Sequence, residues 1–75
     1  MRPYRNLSGN SGVSAYETGA DFIKLRFAGG DTYLYDYRRP GRRDVERMKR
    51  LAAAGTGLST YVAQRVRERY AAKLS

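Results

Sequence analysis

The sequence predicts a small α+β domain in which a three-stranded antiparallel meander precedes two helices (β-β-β-α-α). Apolar residues alternate with a period of two through residues 22–37, as in strands, and recur at helical spacing through residues 42–74. The chain has 75 residues, which is enough for one domain and too few for two. We therefore expect a flexible arm, rich in Gly, Ser and Asn, over residues 1–12 and a single domain over residues 13–75.

Three segments have the composition of strands. They cover residues 13–17, Phe22–Phe27 and residues 32–37. Gly29 and Gly30 lie between the second and third segments, and paired glycines accept the positive φ that a tight hairpin turn requires. Because short turns join consecutive strands in antiparallel pairs, the three segments are expected to form a meander.

The length of the hairpin turn leaves the strand register open. A two-residue turn places Tyr33 and Tyr35 on the polar face beside Lys24, where their rings would be available to stack on bases. A three-residue loop with a bulge places the two rings opposite Leu25 and Ile23, in the core. We favour the core register because the domain otherwise loses much of its apolar mass.

Two helices are expected in the second half of the chain. The first covers Arg42–Ala54, where apolar residues recur every three or four positions, and Gly55 follows its last residue. Ser59 or Thr60 can cap the second helix. Its apolar line consists of Leu58, Val62, Val66, Tyr70 and Leu74.

The chain is strongly basic, and the excess charge lies in one half of it. Fifteen Lys and Arg residues oppose seven Asp and Glu residues, which gives a net charge of +8. Four cations balance four carboxylates within residues 1–37, so the whole excess belongs to residues 38–75, with eleven cations and three carboxylates. Such an asymmetry favours a polyanionic partner, either nucleic acid or an acidic protein surface.

The sequence offers few groups for catalysis or metal binding. The chain contains no His and no Cys, which removes imidazole bases and the usual zinc ligands. The carboxylates are scattered, and no nucleophile has an evident base. We expect a protein that is not an enzyme and that holds neither a cofactor nor a metal ion.

Targeting signals are not evident in the sequence. Residues 1–14 hold no apolar segment of the kind found in signal peptides, and no apolar run is long enough to span a bilayer. We therefore expect a cytoplasmic protein with no membrane partner.

Several short motifs occur in an order that is similar to that of a known family. They span residues 8–71 and comprise Ser11 with Tyr16, Leu25-x-Phe27, a Gly-containing turn, Tyr33-x-Tyr35, a following Pro, Gly57 and Val66-x(3)-Tyr70. This order resembles the KTSC domain, a module named for its place at the C-terminus of some lysyl-tRNA synthetases. Arg39-Pro40 departs from the usual Val-Pro, and Gly55 and Ser59 or Thr60 replace a Ser and an Asn. The resemblance implies the fold, and RNA binding has been proposed for the family.

An Arg-rich surface is the candidate binding site. Arg guanidinium groups fit phosphate oxygens in bidentate pairs, whereas a merely solvated helix face is the plainer interpretation of the same residues. Tyr37, at the end of the third strand, is the tyrosine expected to expose its ring. The candidate residues are Tyr37, Arg38, Arg39, Arg42, Arg43, Arg47, Arg50, Arg65 and Arg69.

The sequence thus predicts a small non-catalytic module that binds nucleic acid, RNA in preference to DNA, with Tyr37 and the arm residues Arg2, Tyr4 and Arg5 adding contacts. The alternative is a protein-interaction module, such as an accessory or phage-type protein, whose basic surface docks on an acidic face of a larger machine. A homo-oligomer is a further possibility, because an exposed strand edge and a small core favour self-association.

Overall fold

The fold is an antiparallel sheet with helices packed on one face of it, and the computed structural model describes residues 1–7, 9 and 12–75. Within these residues the sheet has five strands in chain order: β1 Arg2–Pro3, β2 Val13–Thr18, β3 Phe22–Phe27, β4 Thr32–Asp36 and β5 Ala72–Lys73. The helices are α1 Arg42–Ala54 and α2 Leu58–Tyr61, which continues as a π-helical segment over Val62–Val66. The α+β class is therefore confirmed, with two strands more than predicted.

The β3–β4 hairpin adopts the core register. Ile23 lies opposite Tyr35, and Leu25 lies opposite Tyr33. Gly30 has a φ of 98° in the turn, which glycine adopts without steric cost. Tyr35 is only 1% exposed, whereas Tyr33 is half-buried. Neither ring is therefore a free platform for stacking on bases.

The N-terminal residues belong to the sheet and the core, although the sequence predicts a flexible arm there. Strand β1 pairs with β2, and the side chain of Tyr4 is 6% exposed. The outer edge of β2 presents backbone groups that need partners, and the buried Tyr4 ring adds apolar area to a small core. Tyr4 is thus not available for the nucleic-acid contact predicted for it. Ser8, Asn10 and Ser11 lie outside the described residues, so the Ser11 part of the KTSC-like pattern has no structural counterpart here.

The second helix is shorter than its apolar periodicity predicts. It ends at Val66, and Arg67 has a φ of 45°. The chain then returns to the open edge of β4, where β5 pairs with it and Tyr70 stacks against Tyr33 with 4.6 Å between ring centroids. Strand pairing satisfies the exposed backbone groups of β4, which a longer helix would leave unpaired. Leu74, the last residue of the predicted apolar line, is 48% exposed.

The turn between the helices depends on glycine. Gly55 is buried in the left-handed conformation with a φ of 78°, and its N–H donates to the carbonyls of Leu51 and Ala52. Gly57, rather than Ser59 or Thr60, precedes α2, and no side chain caps that helix. The predicted bounds of α1 are confirmed.

One hydrophobic core joins the sheet to the helices. Strands β2, β3 and β4 face α1 and α2 across it, with the N-terminal Tyr4 at its margin. Its members are Tyr4, Val13, Tyr16, Ile23, Leu25, Tyr35, Val45, Met48, Ala52, Leu58, Val62 and Val66. In the part of the chain that the structure describes, no helix combines the length and the apolar character needed to cross a bilayer.

Candidate functional site

The amphipathic pattern of α1 separates its arginines from the core. Val45 and Met48 are fully buried, so the helix turns its other side to solvent. Arg43, Arg47 and Arg50 follow one another at intervals of four and three residues, which places them on one face of a helix. All three side chains are exposed. Local helical geometry therefore gathers three of the predicted site residues into one row.

A groove lies between this row and the second helical segment. Arg65 and Arg69 line its opposite wall, although Arg69 follows the end of the helix. The groove has a volume of about 650 Å³. We call it the arginine groove, and its residues are Arg43, Asp44, Arg47, Arg50, Leu51, Gly57, Thr60, Tyr61, Gln64, Arg65 and Arg69. Five of the nine predicted site residues therefore meet at one site.

Lysines and arginines differ in their electrostatic partners. Each of the three lysines pairs with a carboxylate: Lys24 with Glu17 at 3.7 Å, Lys49 with Glu46 at 2.8 Å and Lys73 with Asp31 at 3.7 Å. Across residues 1–7, 9 and 12–75, no arginine has a carboxylate oxygen within 4.0 Å. The five arginines of the groove are also exposed. Their charges are thus not neutralised by carboxylates of the described residues, and they give the groove a positive potential.

Asp44 and Tyr61 join the two walls of the groove. The Tyr61 hydroxyl donates a hydrogen bond to Oδ1 of Asp44. Burial raises the pKa of Tyr61, and this hydrogen bond to a carboxylate raises it further. The interaction holds α2 against the first turn of α1. At this position the negative charge of Asp44 also interacts favourably with the positive end of the helix dipole.

Three uncharged polar side chains of the groove are missing from the sequence prediction. They are Thr60, Tyr61 and Gln64. The side chains of Thr60 and Gln64 make no hydrogen bond within the part of the chain that the structure describes. Tyr61 lies four residues before Arg65, and this spacing would have placed it beside the arginines of the second helix.

Tyr37, predicted to be an exposed ring, is held in a network instead. Its hydroxyl lies 2.7 Å from Oε2 of Glu46 and 3.0 Å from the carbonyl oxygen of Ala20. The cationic groups of Arg42 and Lys49 each lie 5.8 Å from the centroid of its ring. The ring is half-buried. The prediction of an exposed Tyr37 is therefore wrong, because α1 packs beside the strand end and its charged side chains cover the ring.

The charges around Tyr37 shift two pKa values in opposite directions. The hydrogen bond to the Glu46 carboxylate raises the pKa of Tyr37. Hydrogen bonds from Lys49 and then from Tyr37 lower the pKa of Glu46. Lys49 also donates to the Ala20 carbonyl at 3.0 Å, so the network fastens α1 to the turn between β2 and β3.

Arg38 and Arg39 lie in the turn between β4 and α1, outside the groove. Their side chains are exposed, and their backbone N–H groups both donate to Oδ1 of Asp36 at 3.0 Å. Together with Tyr37 and Arg42, they are the predicted site residues that the fold does not bring to the groove. The basic run is continuous in the sequence, but the turn and the helix distribute it over separate surfaces.

The N-terminal residues fix the turn that separates the two walls. The Leu58 N–H donates to the Tyr4 hydroxyl at 3.3 Å, and the Leu7 N–H donates to the Gly55 carbonyl at 2.7 Å. The Arg5 guanidinium donates to the carbonyl of Ala53. These bonds give the end of α1 and the start of α2 a defined geometry, and they place the Leu58 amide out of reach of a ligand.

Comparisons with known proteins provide no relative of this chain. No protein-family model matches the chain, and neither a curated protein nor a solved structure matches it. The resemblance to the KTSC family stays a prediction from the sequence. Among the described residues, no three acidic side chains gather into a group that could hold a metal ion.

Proposed function

We propose that the arginine groove binds the phosphates of nucleic acid, RNA in preference to DNA, and that the protein is a non-catalytic binding module. One observation carries the proposal: five exposed guanidinium groups without carboxylate partners line a single groove. Guanidinium groups form bidentate hydrogen bonds with phosphate oxygens and lose less hydration than ammonium groups. A ligand with several adjacent phosphates is therefore the partner that this surface complements best.

The preference for RNA has two supports. The KTSC-like motifs imply RNA binding, and the groove also contains the free side chains of Thr60 and Gln64. A hydroxyl and an amide are able to hydrogen-bond the 2′-hydroxyl, which is the group that distinguishes RNA from DNA. Phosphate contacts alone would position a strand without selecting its sugar.

The number of arginines sets the expected salt dependence. If all five contact phosphates, the slope of log K against log salt is about −3.5 for a single strand and about −4.5 for a duplex. Titration of labelled RNA and DNA of equal length at several salt concentrations measures this slope. No binding at low salt would contradict the proposal.

A pair of charge-reversed variants tests whether the groove, rather than the net charge, binds. Arg47→Glu/Arg65→Glu changes both walls of the groove, and Arg26→Glu/Arg38→Glu changes two exposed arginines outside it. Both variants lower the net charge from +8 to +4, because each substitution removes two charges. We expect the groove variant to lose roughly 100-fold in affinity, with a much smaller loss in the control. The number of phosphate contacts calculated from the salt slope should also fall by about two in the groove variant. Equal losses would show that only net charge matters.

An acidic protein surface, the alternative predicted from the sequence, would also complement the arginines. Polyglutamate presents carboxylates but neither phosphates nor bases, so it serves as the competitor that separates the two. We expect RNA to displace labelled RNA at much lower concentrations of charge than polyglutamate does. Equal competition by the two polyanions would favour the protein-interaction module.

A further inference from the structure

The arginine groove contains one carboxylate, Asp44, and its bond to Tyr61 uses only one of its two oxygens. A surface that bound only phosphates would be stronger without it, because a negative charge repels the ligand. Oδ1 of Asp44 accepts the hydrogen bond of Tyr61, whereas Oδ2 has no hydrogen-bond partner within the described residues. The residue is half-buried and lines the groove. Asp44 therefore keeps acceptor capacity that faces a ligand.

The chemistry of a carboxylate restricts what it can bind on a nucleic acid. An ionised carboxylate accepts hydrogen bonds and donates none. The pairing edge of guanine presents two adjacent donors, the N1–H and the N2 amino group. Adenine and cytosine each place an acceptor beside their single amino group, and uracil has one N–H between two carbonyl oxygens. Guanine is thus the base whose edge a carboxylate complements best.

The groove also has the other features that an unpaired base requires. Its volume of about 650 Å³ falls in the range of pockets that hold small ligands, about 300–1,000 Å³. Tyr61, which is half-buried against the core, also lines the groove next to the carboxylate, so the part of its ring that reaches the groove would contact a base. Arg47 lies three residues after Asp44 on the same side of the helix, and Arg43 lines the same groove, so both would be near the phosphates that flank a base.

We infer that Asp44 selects an unpaired guanine in a single-stranded RNA whose phosphates lie on the groove arginines. This inference rests on the proposed function. Asp44 accepts the guanine N1–H and N2–H bonds while Tyr61 continues to donate to Oδ1. A duplex is disfavoured because its guanine edges are already paired and Asp44 repels its phosphates.

A base series tests the inference directly. Three labelled 12-nucleotide RNAs consist of uridines with two central guanines, two inosines or two adenines, and their affinities are measured by fluorescence anisotropy at one salt concentration. We expect the guanine RNA to bind roughly tenfold more tightly than the adenine RNA. Inosine keeps the N1–H but lacks the N2 amino group, so its affinity should lie between the two.

Two variants separate base selection from a structural role of Asp44. Asp44→Asn removes the charge and presents a donor, so the guanine preference should fall below about twofold while the adenine RNA binds as well or better. The Oδ1 of the Asn side chain still accepts from the Tyr61 hydroxyl, whereas Tyr61→Phe removes that hydrogen bond and keeps the carboxylate, so Tyr61→Phe should retain the ranking. Circular dichroism reports whether each variant folds, and if Asp44→Asn does not, the series on the wild type and Tyr61→Phe still decides whether guanine is selected.

The outcomes distinguish this inference from the proposed function. Salt-dependent binding of all three RNAs with equal affinity overturns the selection of guanine and leaves phosphate binding intact. A guanine preference that survives in Asp44→Asn overturns the role of Asp44. Absence of binding to any of the RNAs at low salt overturns both.

Discussion

At the scale of single residues, the environment decides what each tyrosine does. Tyr35 and Tyr4 are core residues, Tyr37 is part of a charged network, and Tyr61 lines the arginine groove. The same phenol thus supplies buried apolar area, a hydrogen bond to a carboxylate or part of the wall of a groove. The cause of the raised pKa differs accordingly: burial comes first for Tyr35 and Tyr61, and the hydrogen bond to Glu46 comes first for Tyr37.

Burial of Tyr35 predicts a loss of stability at alkaline pH. Burial raises the pKa of Tyr35 to about 12, with the neighbouring phenols of Tyr33 and Tyr70 adding to the shift. Because the folded state favours the neutral phenol, its contribution is complete below pH 10 and disappears as the pH rises from 10 towards 12. The free energy of unfolding should fall by about 2 kcal/mol over that window.

Urea denaturation at pH 9, 10, 11 and 12 measures the effect. Tyr35→Phe keeps the buried ring and removes the titrating group, so its stability should depend much less on pH across the same window. A loss of equal size in wild type and variant would assign the alkaline transition to other groups.

At the scale of elements, the turn between α1 and α2 controls the site. It sets the angle between the two walls of the groove, and the N-terminal residues bind it through Tyr4, Arg5 and Leu7. The left-handed Gly55 allows the chain to reverse while the segment from Arg5 to Leu7 crosses over it. A substitution at this glycine is therefore expected to change how the two helices pack and hence the geometry of the groove between them.

Gly55→Ala should be among the more damaging small substitutions. A Cβ at this position would lie 2.9 Å from the Cβ of Arg5, and the φ of 78° disfavours any side chain. We expect a loss of about 1–3 kcal/mol, or a melting temperature lower by roughly 4–24 °C for a domain of this size.

Gly29→Ala is the matched control. A Cβ on Gly29 meets no atom within 4 Å, and Gly29 does not have a positive φ. Its effect on the free energy of unfolding should stay within about 0.5 kcal/mol. Thermal melts followed by circular dichroism compare the two variants, and equal melting temperatures would contradict the role given to Gly55.

At the scale of the whole molecule, both chain ends complete the sheet. The radius of gyration is 10.7 Å, and a domain of this size buries a small core. Strands β1 and β5 have two residues each, so both edges of the sheet are short. Short edges reduce the tendency of sheets to pair with other chains. Self-association stays a prediction from the sequence, which sedimentation or light scattering would test.

The N-terminal segment should therefore be essential for folding. Tyr4→Ala removes a ring that is 6% exposed and deletes the hydroxyl that accepts the Leu58 N–H. We expect a loss of roughly 3–5 kcal/mol, a large part of the stability of a small domain. Leu7→Ala, at a side chain that is 66% exposed, serves as the control with a loss of less than about 1 kcal/mol. Chemical denaturation measures both variants. A loss for Tyr4→Ala as small as that for Leu7→Ala would contradict the structural role of the N-terminal segment.

The features that depend on neighbours in the chain could be predicted from the amino-acid pattern. The 3.6-residue period gave the bounds of α1, and the alternation around the glycine turn gave the β3–β4 hairpin. The uneven charge likewise placed the basic excess after residue 37. These features are local, because helix faces and strand faces follow from spacing alone.

The tertiary structure decided the features that depend on distant parts of the chain. Residues 72–73 form a strand because β4 has an open edge, although their apolar spacing continues a helix. Arg43 and Arg47 meet Arg65 because the Gly55 turn folds the second helix back beside α1. Backbone groups at a sheet edge find their hydrogen-bond partners only when distant segments pack together, and the same packing sets the angle between the two helices. No local period in the sequence therefore encodes the groove.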